Sequence, residues 1–222
     1  MHPMIASRNR RRAAALALSV SAVLLTASAS ASAIDTAPDP TADPTPASGT
    51  SGTSEAPRPT DLCPSVTDPL FAAADRGVEA DRISPAPVWR ADCKQLYRAE
   101  SRAPEIVFEQ GFLPKAPLTG AYDVTQHVLA GQDSPYVSAT YDHDLYKQGA
   151  PVGFNYYIDA PGGIDVNRTI GATHKAAHRE EVAFPGGVSR ELIVGVCPVD
   201  KAKKTEIMAE CQDNPHYKPW RG

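Results

Sequence analysis

The sequence predicts an α+β domain built around a mixed or antiparallel sheet. Helix-forming patterns are confined to the first half of the region that can fold, and short strand-forming segments gather in the second half. No stretch alternates strand and helix as a doubly wound fold does, and neither common glycine-rich phosphate fingerprint occurs. A doubly wound nucleotide-binding fold is therefore disfavoured.

Composition divides the 222 residues into three parts. Residues 1–33 combine a cluster of arginines, an apolar stretch and a closing Ala-Ser-Ala, the pattern of a signal peptide. Residues 34–60 are rich in Pro, Thr, Ser and Gly, which predicts a disordered linker. Residues 61–222 have the length of one domain, and we expect them to fold as one.

Charge and hydropathy narrow the class of protein further. The signal peptide holds four arginines and no acidic residue, so its removal leaves 18 basic and 26 acidic residues. That negative balance disfavours strong nonspecific binding to nucleic-acid phosphates. No later segment approaches the roughly 20 apolar residues of a membrane span. We therefore expect a secreted protein with no membrane span after cleavage.

Four cysteines lie inside the predicted domain, an even number that suits an oxidising compartment and two disulfides. Three connectivities are possible. We favour Cys197–Cys211, because the chain between them resembles a hairpin, and Cys63–Cys93 would then tie the N-terminal segment to the first strand. No pair has C-x-x-C spacing and no histidine cluster has ligand spacing, so no metal site is predicted.

Helices are expected early in the domain. Residues 69–76 are expected to form a short helix. Residues 104–110 begin with a proline, which suits a first helical position, carry Glu105 at the positive N-terminus and end before Gly111. Residues 122–130 predict a second helix.

Strands are expected mainly later. Residues 94–98 predict the first strand, and residues 136–141, rich in aromatic, β-branched and hydroxyl side chains, predict the second. Further strands are predicted at residues 154–159, 181–184 and 190–199, with a return segment at 207–211.

Three of these segments carry polar side chains of catalytic type. Arg98 ends a short apolar run just before a turn and a helix, where its planar guanidinium would suit a diphosphate. Ser138 and Thr140 lie two residues apart on the second strand. Glu181 starts a short strand that runs into a Gly-Gly turn.

Together these segments resemble the catalytic subunits of the cholera and pertussis ADP-ribosylating toxins, the Arg–Ser-x-Thr–Glu group. Residues 96–104 follow that family's opening pattern, (Val/Leu)-Tyr-Arg-x-(Asp/Glu)-Ser-Arg-x-Pro, and residues 136–140 and 181–188 follow its Ser-x-Thr and catalytic-glutamate strands. The likeness covers about residues 96–196. It implies an ADP-ribosyltransferase-like fold with sheets around an NAD cleft and N-terminal helices, NAD as co-substrate, and no metal.

The resemblance assigns a role to each side chain. Glu181 would stabilise the positive charge that develops on the ribose as the bond to nicotinamide breaks. Arg98 would bind the phosphate region of NAD, and Ser138 would orient the glutamate and the nicotinamide end, with Thr140 as a buttress. His127, in a His-Val-Leu-Ala-Gly run, resembles a pertussis-type histidine that lines the site and helps to activate the acceptor. Each residue also has an alternative interpretation as an ordinary structural or surface side chain.

One position departs from the family pattern. The residue two before the catalytic glutamate is usually Glu in enzymes that modify protein arginine, and Gln in those with other acceptors, including guanine in DNA. Here it is Arg179. A cation cannot accept a proton from an acceptor guanidinium and repels it, which disfavours protein arginine as the acceptor. Three interpretations stay open: a neutral or anionic acceptor anchored by Arg179, water as the acceptor, or an inactive site.

The sequence therefore predicts a secreted mono-ADP-ribosyltransferase with residues 61–222 as its catalytic domain. It would cleave NAD at the nicotinamide–ribose bond and modify an unidentified macromolecule, a protein or a nucleobase. The alternatives are an NAD glycohydrolase that uses the same site and a catalytically silent binding module of the same fold. Any delivery subunit would be a separate polypeptide.

Overall fold

The structure is a computed structural model that describes residues 63–149 and 152–221. These residues all belong to the predicted catalytic domain. The predicted signal peptide, residues 1–33, and the predicted linker, residues 34–60, lie outside the described residues.

Eight strands form one sheet with the spatial order β4-β5-β2-β1-β3-β6-β7, and β8 pairs with β6. Their bounds are β1 Leu96–Glu100, β2 Tyr136–Thr140, β3 Phe154–Ile158, β4 Ile164–Asp165, β5 Glu181–Pro185, β6 Ile193–Asp200, β7 Thr205–Glu206 and β8 Gln212–Asp213. Every one of these strand pairs is antiparallel. The predicted α+β class with a mixed or antiparallel sheet is confirmed.

The helices of the described region are short. The α-helices are α1 Pro104–Gln110 and α2 Val166–Ile170, and a π-helical turn covers Gln126–Ala130. Single 3-10 turns occur at Ala80–Arg82, His143–Lys147, Ala177–Arg179, Arg190–Leu192 and Met208–Glu210. Helix α1 has the predicted bounds: Pro104 takes its first turn, and Gly111 ends it with φ 71°.

The sheet opens between β1 and β2, and this opening positions the site. Strand β1 pairs with β3 along all five of its residues, but it meets β2 only at Tyr97 and Thr140. Beyond that pair the two strands diverge. Arg98, the next residue of β1, spans the gap and donates a hydrogen bond from Nη1 to the carbonyl oxygen of Ser138 on β2, 2.5 Å away.

The three strands that carry the polar residues of the site, β1, β2 and β5, all contribute side chains to the apolar core. Phe112, Tyr156, Val182 and Phe184 pack in its larger cluster and are almost fully buried. After β5 the chain turns at Gly187, which has φ 81°, and a Cβ there would lie 1.8 Å from the carbonyl oxygen of Phe112. Only glycine fits this turn, which fixes the end of β5 against the segment that follows α1.

Two predicted helices differ from the structure. Residues 69–76 form turns, because the backbone N–H of Asp75 bonds the carbonyl of Gly186 in another part of the chain and does not continue a helix. The first residues of the segment 122–130 pair with Ser84 on a neighbouring segment. The prediction is therefore wrong only at its start: residues 124–130 are helical, and the last five of them form the π-helical turn.

Both favoured disulfides are present: Cys63–Cys93 and Cys197–Cys211. The second joins β6 to the residue just before β8, so it supports the pairing of these two strands. Within the described residues, no helix has the length and apolar character needed to cross a membrane.

Candidate active site

Two adjoining cavities lie at the opening between β1 and β2. The larger, here called the large cleft, has a volume of about 570 Å³, and the smaller, the small pocket, about 150 Å³. Arg98 and Ser138 line both of them. His127 lines the large cleft, whereas the small pocket is lined by Thr140, Arg179 and Glu181. All six predicted site residues therefore face this pair of cavities.

Ser138 and Glu181 meet because of strand register. Strands β2 and β5 pair so that Thr140 lies opposite Glu181 and Ser138 lies opposite Ala183. Side chains two residues apart on a strand share a face, so Ser138 is the diagonal neighbour of Glu181 on that face. The Ser138 hydroxyl donates a hydrogen bond of 2.6 Å to Oε1 of Glu181.

His127 completes this group from the π-helical turn, a rare element that is frequent at functional sites. Its Nε2 lies 2.9 Å from the Ser138 hydroxyl and 3.4 Å from Oε1 of Glu181. Its Nδ1 lies 2.7 Å from the hydroxyl of Ser134. Because the Ser138 proton is directed to Glu181, the network is satisfied when Nε2 carries the imidazole proton and Nδ1 accepts from Ser134.

Glu181 is ionised at neutral pH although it is only 8% exposed. Burial alone would raise its pKa. The hydrogen bonds from His127 and Ser138, with the positive charge of Arg179 nearby, outweigh burial and lower the pKa below its ordinary value. Within the described residues, Oε2 of Glu181 accepts no hydrogen bond. The carboxylate therefore presents one uncommitted oxygen to the small pocket.

The guanidinium of Arg98 is held by the carboxylate of Glu100, which also binds Arg102. Its Nε and Nη2 donate to Oε2 of Glu100 over 3.3 and 3.0 Å, and Arg102 donates to the same oxygen over 2.7 Å. Burial alone would raise the pKa of Glu100, but the bond from Arg102 and the charge of Arg98 bring it to about 2. Two guanidinium groups thus share one carboxylate beside the large cleft. The net charge of these three side chains is positive.

Thr140 and Arg179 are joined through the backbone. The Thr140 hydroxyl donates to the carbonyl of Arg179 over 2.5 Å and accepts from the amide of Asp142 over 2.9 Å. Thr140 thus fastens the segment before β5 to the end of β2. The Arg179 side chain is exposed at the small pocket.

Comparison with known proteins identifies the family. Residues 96–217 match the Scabin-like family, more than half of the chain. The chain belongs to this family. A guanine-specific ADP-ribosyl transferase of Streptomyces coelicolor is 61% identical over 158 residues, which cover 71% of this chain and 78% of that protein.

Two solved structures agree with this Scabin-like assignment. The Scabin toxin from Streptomyces scabies in complex with NADH is 59% identical, with a TM-score of 0.72 over 75% of this chain and 99% of the other. A guanine-specific ADP-ribosyltransferase is 61% identical, with a TM-score of 0.70 over 72% and 99%. The predicted ADP-ribosyltransferase fold is confirmed, and so are the enzyme class, an NAD-dependent ADP-ribosyltransferase, and NAD as co-substrate. The assignment to the Arg–Ser-x-Thr–Glu group and the role of each residue stay predictions.

Three residues of this Scabin-like site were not predicted. Glu100 and Arg102 lie within the opening motif, two and four residues after Arg98, and strand alternation could have placed Glu100 on the same face. Ser134, which holds His127, had no such signal, because it lies in the loop before β2. Among the described residues, no cluster of three or more His, Cys, Asp or Glu side chains could hold a metal ion.

Proposed function

We propose that this Scabin-like chain is a secreted mono-ADP-ribosyltransferase that transfers ADP-ribose from NAD to the base of guanine. The observation that carries the proposal is the convergence of Arg98, Ser138 and Glu181 where the large cleft meets the small pocket. In an in-line displacement at C1′ of the ribose, the leaving nicotinamide and the attacking acceptor lie on opposite sides of that carbon atom. Two adjoining cavities with a carboxylate at their boundary have that form.

The large cleft suits the dinucleotide. Arg98 and Arg102 line it, and Lys115 adds a third cation at its edge. Guanidinium groups bind phosphate oxygens through paired, charge-assisted hydrogen bonds. The diphosphate of NAD would therefore lie beside these arginines, with the nicotinamide-bearing ribose toward Ser138.

Glu181 would act on the ribose. As the bond between C1′ of the ribose and the nicotinamide nitrogen breaks, its electron pair leaves with the nicotinamide, and positive charge develops on the ribose. The uncommitted Oε2 can accept a hydrogen bond from a ribose hydroxyl, and the carboxylate charge then stabilises the transition state. Ser138 and His127 hold the other oxygen, so the carboxylate is oriented before NAD binds.

The small pocket would take the acceptor. A relative 61% identical to this chain is named as guanine-specific, and the pocket is large enough for one planar base. Arg179 repels an arginine acceptor, which argues against protein arginine. Guanine carries no positive charge and meets no such repulsion.

The proposal also includes secretion of the protein and the division of its chain into a signal peptide, a linker and a catalytic domain. Residues 1–33 have the charge and hydropathy of a signal peptide, residues 34–60 the composition of a linker, and residues 61–222 contain both disulfides. Disulfides form and persist outside the cytoplasm, which supports secretion. The N-terminal sequence of protein recovered from culture medium tests this: a start near residue 34 is expected, and a retained residue 1 would contradict it.

The decisive assay follows two products at once. The purified chain is incubated with NAD and guanosine, nicotinamide release is measured, and the ADP-ribosyl-guanosine adduct is detected by mass spectrometry, with Glu181→Gln as the inactive control. Adduct formation lost in the control is expected. Nicotinamide release without an adduct would establish a glycohydrolase, and no release at all would establish a silent module.

A further inference from the structure

We infer that Arg179 reads the acceptor base, by donating two parallel hydrogen bonds to O6 and N7 of guanine. This inference rests on the proposed function, since it concerns the acceptor side of the same site. It assigns a specificity-determining role to a residue at which this chain departs from the pattern that its sequence resembles.

The backbone of Arg179 is fixed relative to Glu181. Arg179 ends the 3-10 turn Ala177–Arg179, and its carbonyl is bonded by the Thr140 hydroxyl. Glu180 follows in the left-handed region, with φ 45° and ψ 51°, and reverses the chain into β5. A non-glycine residue there is uncommon and is kept only where the surrounding structure demands it. The guanidinium therefore projects from a defined point two residues before the carboxylate.

The guanidinium of Arg179 is uncommitted. Of the nine arginines in the described residues, seven donate side-chain hydrogen bonds or form ion pairs: Arg76, Arg82, Arg90, Arg98, Arg102, Arg190 and Arg221. Within that part of the chain, Arg168 and Arg179 do neither. Arg168 is exposed on α2 and lines neither cavity, whereas Arg179 lines the small pocket. Five donors thus stand free at the cavity that contains Glu181.

Guanidinium chemistry selects the edge of the base. Arginine donates hydrogen bonds and accepts none, so it fits an edge that presents acceptors alone. Guanine presents O6 and N7 side by side, and arginine bonds both at once. Adenine places an N6 amino group next to N7, and cytosine presents an N4 amino group, so each directs a donor at the guanidinium. A glutamine amide both donates and accepts and discriminates less sharply.

The other walls of the small pocket suit the faces of a base. Ala99, Ala139, Leu145 and Tyr97 line it. Apolar and aromatic side chains hold a planar heterocycle by its faces without selecting its identity. The donors that select the base are then left to Arg179, because the Ser138 hydroxyl donates to Glu181, the Thr140 hydroxyl donates to the backbone, and the carboxylate of Glu181 has no donor to offer.

The test removes the N7 acceptor from the nucleoside and, separately, the guanidinium donors of Arg179 from the protein. Adduct formation at saturating NAD is measured with guanosine and with 7-deazaguanosine, which keeps O6 and lacks the N7 acceptor. For the wild type, KM is expected to be about tenfold higher for 7-deazaguanosine, because one bond of a bidentate pair is lost. In Arg179→Ala, KM for guanosine should rise about tenfold or more, and the difference between the two nucleosides should vanish.

Two further variants complete the design. Arg179→Lys keeps the charge but loses the planar fork, so it should recover part of the affinity for guanosine and little of the discrimination. Arg168→Ala removes the other uncommitted arginine and should leave both KM values unchanged. A thermal melt of each variant verifies folding, and the exposure of Arg179 leads us to expect no change.

The outcomes separate this inference from the proposed function. If the wild type forms the guanosine adduct but uses 7-deazaguanosine equally well, or if the discrimination survives in Arg179→Ala, the role of Arg179 is wrong while the guanine transferase stands. If the wild type releases nicotinamide and modifies no guanosine, the proposed function fails and takes this inference with it.

Discussion

Two partly buried groups in this domain have nearly the same composition, and only one of them has the form of an active site. The site cluster is His127, Ser138 and Glu181. The second cluster is His143, Tyr157 and Glu206, on the opposite half of the sheet. In each, a histidine Nε2 lies close to a glutamate oxygen, at 3.4 Å in the site cluster and 3.2 Å in the second, and a hydroxyl bonds the same glutamate.

The two clusters differ in whether the glutamate has an oxygen atom without a hydrogen-bond partner. Glu206 is 6% exposed at its side chain, and both its oxygens are occupied, Oε1 by Asn155 and Oε2 by Tyr157 and His143. In Glu181 only Oε1 accepts hydrogen bonds from protein groups in the described part of the chain, and the residue lines the small pocket. None of the second cluster lines the large cleft or the small pocket. Residue types alone therefore do not define a site. A site is marked here by a hydrogen-bond acceptor that has no protein partner and faces a cavity.

Matched substitutions of the two glutamates should give the largest contrast. Glu181→Gln keeps the shape and removes the charge that stabilises the ribose cation, so kcat for nicotinamide release should fall by about 10²–10³. Affinity for NADH, the ligand of the solved Scabin complex, should change little, because the lost interaction belongs to the transition state. Steady-state kinetics and calorimetric titration measure the two quantities.

Glu206→Gln is the counterpart. It should leave kcat near the wild-type value and lower the free energy of unfolding by about 1–3 kcal/mol, since it disturbs buried hydrogen bonds. Chemical denaturation measures that loss. Turnover that falls equally in both variants would show that the comparison between the clusters is mistaken.

Arg98→Ala should produce the next largest effect. The second cluster has no arginine contact within the described residues, whereas Arg98 bridges β1 and β2 beside the large cleft. Loss of charge-assisted bonds should weaken NADH binding by about 10- to 100-fold. Titration with NADH checks this. Arg190→Ala, which removes an exposed ion pair and an exposed hydrogen bond to Glu109, is the control and should bind normally. Unchanged affinity in Arg98→Ala would remove Arg98 from the dinucleotide site.

The sequence predicted the strands that carry Ser138 and Glu181 and the bounds of α1, but not every helix around them. Ser138 and Glu181 could be predicted because strand spacing and a Gly-Gly turn are local signals that survive folding. The helix expected at residues 69–76 was wrong because a tertiary hydrogen bond to Gly186 competes with its local pattern. His127 was distinguished from His143 only by the resemblance of its His-Val-Leu-Ala-Gly run to a known family, and not by residue type. The surroundings of His127 depend on the register of β2 with β5, and those of His143 on the positions of β3 and β7; both are long-range properties.

Removing one hydroxyl from each cluster tests the comparison on a smaller scale. Ser138→Ala frees Oε1 of Glu181 and loosens the carboxylate, so kcat should fall by about tenfold. Tyr157→Phe removes the bond to Glu206 and should cost about 1 kcal/mol of stability with kcat preserved. Nicotinamide release and thermal melts separate the two. A normal kcat in Ser138→Ala would mean that Ser138 does not orient the carboxylate.

The smallest expected effect is a shift in the pH at which turnover declines on the acid side. Because hydrogen bonds from His127 and Ser138 hold the pKa of Glu181 below its ordinary value, the wild-type carboxylate stays charged as pH falls from 7 to about 5. Turnover should be nearly constant there and decline only at lower pH, as the carboxylate is protonated. Ser138→Ala removes one of these bonds and should move the decline to higher pH, whereas Tyr157→Phe should leave it in place. An acid limb that is the same in all three proteins would show that a group other than Glu181 governs it.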